Sequence, residues 1–345
     1  MNITTIGIDL AKNVFQVHGA DERGKAVLRK PLKRAQMMGF FVNLPPCLIG
    51  MEACGSAHFW ARKLTELGHT VKLIAPQFVK PYVKTNKHDA ADAEAICEAV
   101  TRPNMRFVPI KHAEQQALLG LHRARQGFVH ARTAQVNQIR GLLTEFGLVI
   151  PQGMRFLAKR VPEILEDAEN GLPGASRKLF SRLFEHFREL DRQAKELEAQ
   201  IQVWHREDMK SRRLQTIPGI GPLTASALVA SIGDASAFNN GRQLAAWLGL
   251  VPRQHSSGGK EQLLGISKRG DTYLRTLLIH GARAVLRHRH RHADQAEGWL
   301  ARLAARRHPN IAAVALAHKN ARIVWALLAR GTAYQANYSK LAAAT

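Results

Sequence analysis

The stretch Thr4-Thr5-Ile6-Gly7-Ile8-Asp9, close to the N-terminus, decides the fold of the first part of the chain. It is a short apolar run rich in β-branched residues, which predicts a buried strand, and it ends on a carboxylate. A second run of the same kind, Cys47-Leu48-Ile49-Gly50-Met51-Glu52, also ends on an acid. Because a buried carboxylate is costly unless a cation accompanies it, we expect Asp9 and Glu52 to face a bound metal.

Two further acids extend this pattern. The stretch Asn86-Lys87-His88-Asp89-Ala90-Ala91-Asp92 predicts the start of a helix, with Asp89 and Asp92 three residues apart on one face. Four converging carboxylates repel one another unless cations lie between them, and sites built only from oxygen ligands suit Mg²⁺ or Mn²⁺. Two such ions can hold the attacking and leaving oxygens of a phosphodiester. In the alternative interpretation, Asp89 caps the helix and Asp92 interacts with its dipole.

The order of predicted elements around these acids is that of a ribonuclease H-like α/β domain. The first three are strands that form an antiparallel meander: Thr4–Asp9, Val14–His18 and Ala26–Lys30. They are followed by helix, strand, helix, strand and finally the helix Asp89–Val100. In that fold the first strand is central, and acids at the ends of the first and fourth strands meet acids on a late helix. We therefore assign residues 1–110 to this domain.

Net charge is the strongest global signal. The formal charge is +23, and it is uneven: residues 1–110 carry 15 basic and 9 acidic residues, whereas residues 111–345 carry 35 and 18. This excess predicts a polyanionic partner, nucleic acid, that is bound mainly outside the acidic site. No segment reaches the ~18 uninterrupted apolar residues of a membrane helix, and the N-terminus lacks a signal-peptide pattern. We therefore expect a cytoplasmic protein with no membrane partner.

Residues 111–210 change character and predict two long helices, Ala113–Phe146 and Ser176–Trp204. The second helix carries four heptads with apolar side chains at both core positions: Phe180, Phe187, Ala194 and Ile201 at one, Leu183, Leu190, Leu197 and Trp204 at the other. The first helix has an interrupted seam of apolar residues: Leu118, Leu121, Phe128, Ile139, Leu142 and Phe146. This pattern predicts a coiled coil that joins chains into a dimer or tetramer. The alternative is that the two helices pack within one chain.

Residues 211–345 are predicted to be mainly helical and to begin with a glycine turn, Ile217-Pro218-Gly219-Ile220-Gly221-Pro222. A turn of this kind that leads into a helix is typical of a helix-hairpin-helix, in which backbone N–H groups hold a nucleic-acid phosphate. We therefore expect Gly219 and Gly221 to contact nucleic acid. Further along, the alternating tract Arg287–His292 indicates a basic surface, and Trp247, Trp299 and Trp325 are expected in the core.

A polar, basic and glycine-rich stretch between Pro252 and Gly270 predicts a long functional loop. Within it, Ser257 is followed by two glycines, which let a phosphate approach closely. Four cations nearby could neutralise a phosphate during its transfer: Arg253, Lys260, Lys268 and Arg269.

Taken together, the motifs resemble those of one family. They are Gly7-Ile8-Asp9-Leu10-Ala11-Lys12, Met51-Glu52-Ala53-Cys54-Gly55, Asn86-Lys87-His88-Asp89-Ala90-Ala91-Asp92-Ala93, Ile217-Pro218-Gly219-Ile220-Gly221, Gly249-Leu250-Val251-Pro252 with Ser257-Gly258, and Ser267-Lys268-Arg269-Gly270. The family is that of the DEDD transposases of bacterial insertion sequences (the "IS one-ten" family), also called bridge-RNA-guided recombinases. The resemblance covers about residues 1–330, with the motifs in the family's order.

The resemblance implies an enzyme that joins donor and target DNA under the guidance of a structured non-coding RNA, the bridge RNA, which pairs with both. Residues 1–110 would form a RuvC-like domain whose metal-binding tetrad is Asp9, Glu52, Asp89 and Asp92. Ser257 would be the nucleophilic serine of a C-terminal transposase domain, residues 211–345. Ser256 is the alternative nucleophile, but Ser257 directly precedes the glycine, as the serine of the motif does.

Two other functions stay open at this point. A metal-only nuclease, such as a junction resolvase, would use the acidic tetrad while Ser257 only contacts phosphate. A non-catalytic nucleic-acid-binding protein would use the four acids for structure alone. Trapping of a covalent protein–DNA adduct distinguishes the transposase from the first, and metal-dependent strand cleavage distinguishes both enzymes from the second.

Overall fold

The computed structural model describes residues 2–84, 88–288 and 298–335 of the chain. These residues form two compact units. The first runs from the N-terminus to Gln116 and includes Ile232–Asn239, and the second comprises Ala117–Ser231 and the chain from Asn240 onward. Asn86 and Lys87 of the acidic motif, and most of the predicted basic tract, lie outside the described residues.

The centre of the first unit is a six-stranded mixed sheet. Its strands are β1 (Thr5–Asp9), β2 (Val14–Ala20), β3 (Ala26–Lys33), β4 (Leu48–Glu52), β5 (Thr70–Ile74) and β6 (Phe107–Val108). Their order across the sheet is β3-β2-β1-β4-β5-β6. β1 pairs antiparallel with β2 and parallel with β4, so the stretch that ends on Asp9 is a central strand. This is the mixed α/β organisation that the order of elements predicted.

Four α-helices belong to this sheet: α1 (Met37–Val42), α2 (Ala57–Glu66), α3 (Pro76–Val79) and α4 (Asp89–Val100). The side chains of Ile6, Ile8, Ile49 and Met51 on the two central strands are fully buried. Burial of such side chains stabilises the fold by roughly 1.5–3 kcal/mol each. The apolar stretches are therefore sufficient to fix β1 and β4 side by side, with their terminal acids at the same edge.

Glycines in the two central strands bring α4 unusually close to the sheet. A Cβ at Gly7 would lie 2.2 Å from the Ala93 carbonyl oxygen and 2.4 Å from the Cys97 backbone nitrogen. A Cβ at Gly50 would lie 2.8 Å from Cβ of Val100. Because any larger residue would force the helix away, these two positions set the height of α4, and hence of its acids, above β1.

The next three helices are α5 (Ala113–Thr144), α6 (Met154–Glu166) and α7 (Gly174–Glu207). Apart from the first residues of α5, they belong to the second unit. α5 and α7 run antiparallel within the chain. Arg125 near the start of α5 donates to Glu198 near the end of α7 at 2.7 Å, and Arg132 pairs with Asp191 one step further along. In this single chain, the alternative of two helices that pack on each other is therefore the arrangement observed. A coiled coil with a partner chain stays a prediction.

The buried seam of the helix pair differs from the predicted one on α5. Val136, Ile139 and Leu143 are buried there, whereas Leu142 is 37% and Phe146 is 41% exposed. A straight α-helix drifts by about 20° per heptad relative to a strict seven-residue repeat, so the buried face rotates along α5. On α7 the predicted positions Phe180, Phe187, Ala194 and Ile201 are all buried.

The remaining elements belong to the C-terminal part. They are helices α8 (Met209–Gln215), α9 (Pro222–Ile232), α10 (Gly241–Trp247), α11 (Thr272–His288), α12 (Trp299–Arg306) and α13 (Pro309–Arg330), and strands β7 (Pro252–Gln254) and β8 (Leu263–Ile266). In the described part of the chain, α13 alone has the length and hydropathy to cross a membrane. It is instead a core helix of its unit: residues from Ala312 to Leu327 are buried along one face, and the buried Asn320 amide donates to the Pro218 carbonyl at 2.9 Å.

Candidate active site

Three carboxylates meet at the end of the central strand. Oxygen atoms of Asp9, Asp89 and Asp92 all lie within 4.8 Å of one another. Asp9 is the last residue of β1, and the other two acids lie in the first turn of α4. Side chains at this spacing repel one another in the ionised state, and a divalent cation between them removes that cost. The donor set contains only carboxylate oxygens, which fits Mg²⁺ or Mn²⁺.

The helix cap is provided by His88 and not by either acid. His88 is the N-cap residue of α4, and its Nδ1 accepts a hydrogen bond from the Ala90 backbone N–H at 3.2 Å. The interpretation of Asp89 as a helix cap is therefore wrong. The reason is local: with histidine at the cap position, the carboxylates of the first turn are directed by α4 toward the end of β1.

Glu52 lies at the same edge of the sheet but outside the group of three. Ile8 pairs with Met51 in the parallel ladder, which places Asp9 and Glu52 at corresponding strand ends. Burial, and then the negative charges of Glu52 and Asp9, raise the pKa of the Cys54 thiol. Both carboxylates therefore act on the same small region. The structure brings three of the four predicted acids together and leaves Glu52 beside them.

Ser257 lies in the second unit, at the tip of a β-hairpin made by β7 and β8. It faces Lys260 across a two-residue turn, and the Lys260 N–H donates to the Ser257 carbonyl at 3.1 Å. Gly258 and Gly259 form the turn with φ of +56° and +77°, the left-handed conformation that favours glycine. Ser257 is exposed, as are Ser256, Arg253 and Lys260. The long loop expected from the sequence is therefore an ordered hairpin with a polar tip.

The base of this hairpin is held by an interlocked pair of glycines. A Cβ at Gly249 would lie 2.0 Å from the Arg269 carbonyl oxygen, and one at Gly270 would lie 1.9 Å from the Trp247 carbonyl oxygen. Both glycines have positive φ, so two constraints exclude other residues at each position. The predicted phosphate ligands Lys268 and Arg269 directly precede Gly270, at the base of the hairpin, and are exposed.

Arg275 is a residue of this region that the sequence analysis missed. It is buried in the first turns of α11, and its guanidinium donates to the Leu248 carbonyl at 3.2 Å and to the Thr272 hydroxyl at 3.1 Å. Its signal in the sequence was weak, since an arginine on an amphipathic helix is ordinarily a surface residue. It ties α11 to the end of α10 and so supports the hairpin base.

The predicted glycine turn lies between α8 and α9. Gly219 has φ of +88°, and a Cβ there would lie 2.9 Å from the Gly281 carbonyl oxygen. Its small size therefore serves the close packing of the turn on α11. Gly221 is exposed and has open space around its Cα. Of the two predicted phosphate contacts, Gly221 is the one whose surroundings leave room for a ligand.

Comparison with known proteins gives a consistent result over the whole chain. The family model of the DEDD transposase domain of the IS110 type matches residues 6–147, and the model "Transposase IS116/IS110/IS902 family" matches residues 211–297. The chain is 57% identical to a "probable family 20 transposase" of Pseudomonas aeruginosa, over 97% of this chain and 99% of that protein. It is 44% identical to the transposase for insertion sequence element IS1328 of Yersinia enterocolitica, over 96% and 99%. It is 46% identical to the transposase for insertion sequence element IS1111A of Coxiella burnetii, over 97% and 92%.

Proposed function

Because the chain belongs to the IS110 family of DEDD transposases, enzymes that act on DNA, we propose that it cuts and rejoins DNA with Ser257 as nucleophile and a metal-binding tetrad. The tetrad consists of Asp9, Glu52, Asp89 and Asp92. The observation that carries the proposal is the group of three carboxylates within 4.8 Å of one another. Carboxylates this close repel one another when ionised, and a bound divalent cation offsets that repulsion.

In the proposed reaction, Oγ of Ser257 attacks a DNA phosphorus and forms a phosphoserine bond. The bond between that phosphorus and the leaving DNA oxygen breaks, the serine proton passes to solvent, and the leaving oxygen takes a proton from water. Asp9, Asp89 and Asp92, with Glu52 beside them, would hold Mg²⁺ or Mn²⁺, which would supply electrostatic stabilisation of charge on the leaving oxygen. A hydroxyl of a second DNA strand then attacks the same phosphorus and loses its proton to solvent. The bond between phosphorus and Oγ of Ser257 breaks, the serine oxygen takes up a proton, and the two strands are joined.

The serine hairpin has the features that such a step requires. Ser257 is exposed at a tip whose neighbours are glycines, so a bulky phosphodiester meets little steric hindrance. Arg253 and Lys260 lie on the same exposed hairpin, where their charges favour an approaching phosphate. Lys268 and Arg269 lie at its base. The turn between α8 and α9, with the exposed Gly221, is proposed as a second phosphate contact of the helix-hairpin-helix type.

The guide and the assembly are parts of the same proposal. Residues 111–345 hold 35 basic and 18 acidic residues, an excess that fits a large structured RNA in addition to DNA. Exposed apolar residues on the helix pair, among them Leu142 and Leu179, fit an oligomer in which coiled-coil helices of different chains meet.

A metal-only nuclease is the second candidate, and one observation favours it. The acidic group forms entirely within the first unit, from β1 and α4, and its geometry does not depend on Ser257. Such an enzyme would use an activated water as nucleophile and leave no protein attached to DNA.

Replacement of Ser257 by alanine separates these candidates. The change removes one hydroxyl from an exposed tip, so folding and DNA binding should be retained while cleavage and the covalent adduct disappear. Ser256→Ala is the matched control, because it removes the same group one residue earlier on the same exposed arm of the hairpin. Adducts are detected on denaturing gels with end-labelled DNA. An adduct lost only in Ser256→Ala moves the nucleophile to Ser256, and cleavage without any adduct in the native protein selects the metal-only nuclease.

A further inference from the structure

The second unit contains an open cavity of about 1020 Å³ that the proposed chemistry does not use. It lies between one face of α13, the start of α10 and the base of the serine hairpin. Pro252 and Ile266, which pair with each other where β7 and β8 join the body of the unit, form one wall. The groove is therefore continuous with the element that carries Ser257.

The position of the groove follows from a close backbone contact. A Cβ at Gly241 would lie 2.9 Å from both Cα and the carbonyl oxygen of Arg322, so α10 begins directly on α13. The side chains of Arg242 and Arg322 consequently enter the same wall, and both residues are exposed. Burial, and then the charges of Arg322 and Arg242, lower the pKa of His318 between them. The local potential is thus positive even where the surface is partly apolar.

Two tryptophans give the groove flat apolar surfaces. The core positions expected for Trp247 and Trp299 are wrong, since their side chains are 38% and 39% exposed. Trp299 lines the groove. The Lys319 ammonium lies 5.0 Å from the centre of its ring, and the Arg330 guanidinium lies 5.8 Å from that of Trp325. No aspartate or glutamate is among the lining residues that the structure describes. Aromatic faces bordered by cations, without carboxylates, are the combination that binds unpaired nucleotides.

We propose that this groove binds an unpaired segment of the DNA strand next to the phosphodiester that is cut. A base stacks on Trp299, the more exposed of the two tryptophans, and the adjoining phosphates contact Arg242 and Arg322. Paired bases are inaccessible to such stacking because they are already stacked inside the duplex, so the groove selects strand that has been opened. The placement beside the cut rests on the proposed role of Ser257. The hairpin tip is five residues from Pro252, or about 17 Å at the rise of an extended strand. A strand that reaches from tip to groove therefore spans only a few nucleotides.

A fluorescent base analogue tests the proposal. The probe is a duplex with a short unpaired DNA segment that carries 2-aminopurine at successive positions from the cleavage site. Stacking on tryptophan should quench the probe at positions a few nucleotides from the cut and leave a fully paired duplex unaffected. The variants Trp299→Leu and Arg322→Gln should each lose this quenching and weaken binding of the unpaired segment by about tenfold, with duplex affinity unchanged.

Two matched controls belong to this experiment. Trp247→Leu alters a tryptophan of nearly the same exposure, 38%, that does not line the groove. Arg212→Gln removes an exposed arginine from α8 in the same unit. Both should retain quenching and preference for the unpaired segment. Thermal unfolding of Arg322→Gln, an exposed position, confirms that loss of binding does not reflect loss of the fold.

Four outcomes would overturn the proposal. They are unchanged quenching in both groove variants, an equal loss of duplex affinity, tighter binding of the same unpaired sequence as RNA, and a changed oligomer mass in the variants, which would make the groove an interface between copies. All binding is repeated with the Ser257→Ala protein, which cannot form the adduct. If the unaltered protein shows position-dependent quenching but forms no adduct with DNA, the groove proposal stands and the serine mechanism is wrong. If the unaltered protein forms the adduct but shows no quenching, the serine mechanism stands and the groove proposal is wrong.

Discussion

At the scale of single residues, the acidic group depends on a glycine as much as on its acids. Gly7 allows α4 to lie on β1, and without that contact Asp89 and Asp92 would be lifted away from Asp9. The three carboxylates therefore come together only because position 7, where β1 meets α4, has no side chain. Any change at Gly7 should affect the metal without touching a ligand.

Replacing Asp89 by asparagine tests the metal site at this scale. The change removes a charge and little volume, so the fold should be retained while Mn²⁺ affinity and DNA cleavage fall. Metal stabilisation of the leaving group contributes several kcal/mol, which corresponds to a loss of about a hundredfold or more in rate. Calorimetric titration with Mn²⁺ and cleavage of labelled DNA measure the two effects. Asp21→Asn is the control, because Asp21 follows β2 at the end of the sheet opposite Asp9, and asparagine keeps the oxygen that accepts from the turn. Full activity of Asp89→Asn in excess chelator would disprove the tetrad.

A buried histidine links three helices of the second unit, α5, α9 and α11. His122 is 1% exposed, with Nδ1 3.0 Å from the Tyr273 hydroxyl and Nε2 3.1 Å from Oγ of Ser226. The Ser226 hydroxyl donates to the Pro222 carbonyl at 2.7 Å, and Arg125 donates to Tyr273. The consistent assignment is that Tyr273 donates to Nδ1 and Nε2–H donates to Ser226, which requires a neutral imidazole.

Stability should therefore decrease in acid. Burial, and then Arg125, lower the pKa of His122 from 6.5 to about 4. Between these values the unfolded chain binds the proton and the folded one does not, so stability is complete above about pH 6.5 and is lost as the pH falls toward 4, by on the order of 3 kcal/mol. Urea unfolding at pH 7, 5.5 and 4 should show a shallower dependence in His122→Gln. His130→Gln, at an exposed position, should behave as the native protein. An equal dependence of stability on pH in the native protein and both variants would contradict the assignment.

At the scale of elements, the helix pair combines two demands on one surface. The predicted core positions of α7 are already buried within the single chain, as Phe187 and Leu190 show. The apolar residues that remain for a partner are others, and Leu142 and Leu179 lie where α5 ends and α7 begins, 37% and 47% exposed. An oligomer that uses these helices should therefore use this end of the pair.

The double variant Leu142→Glu and Leu179→Glu tests whether this end of the helix pair forms the interface. Burying unpaired charges in an interface is costly, so the double variant should shift the assembly to smaller oligomers while each chain stays folded. Mass is measured by light scattering and helicity by circular dichroism. Val203→Glu, at a 52% exposed position near the other end of α7, is the control. An unaltered mass in the double variant would mean that the oligomer is formed elsewhere.

At the scale of the whole molecule, charge governs the partners. A formal charge of +23 on 345 residues predicts that a structured RNA remains bound through purification in moderate salt. If six to ten phosphates are contacted, affinity should fall by about 10³–10⁵ between 50 and 200 mM salt. Filter binding with copurified RNA, and with a scrambled RNA of equal length, measures this slope. Recombination of DNA by protein stripped of all RNA would contradict the guided mechanism.

The division of the chain into two units raises the question of which chain provides each part of the chemistry. The acids belong to the first unit and Ser257 to the second. Protein carrying Ser257→Ala and protein carrying Asp9→Asn should each be inactive. A mixed oligomer should recover part of the cleavage activity if the serine of one chain acts with the acids of another. Cleavage assays before and after subunit exchange measure the recovery, and none after proven exchange would mean that each chain is self-sufficient.

Local patterns predicted the first unit well. The apolar runs before Asp9 and Glu52 became adjacent central strands, and the two acids of the helix start joined Asp9 as expected. The predictions that failed depended on packing between distant residues. They are the exposed Trp247 and Trp299 and the hairpin around Ser257, whose tip is formed by Gly258 and Gly259 but whose base is held by Gly249 and Gly270.

The sequence by itself determined the strands and helices of the first unit, the acidic residues, the basic excess and the family, because periodicity, residue chemistry and motif order are properties of the chain alone. Only the tertiary structure decided that Glu52 lies beside the group of three acids, that α5 buries Leu143 in place of Leu142, and that basic and aromatic residues from α10 and α13 share one groove. The physical reason is that these outcomes depend on differences of a few ångströms in packing between segments far apart in sequence. Such differences are set by the whole core at once and leave no periodic pattern in the chain.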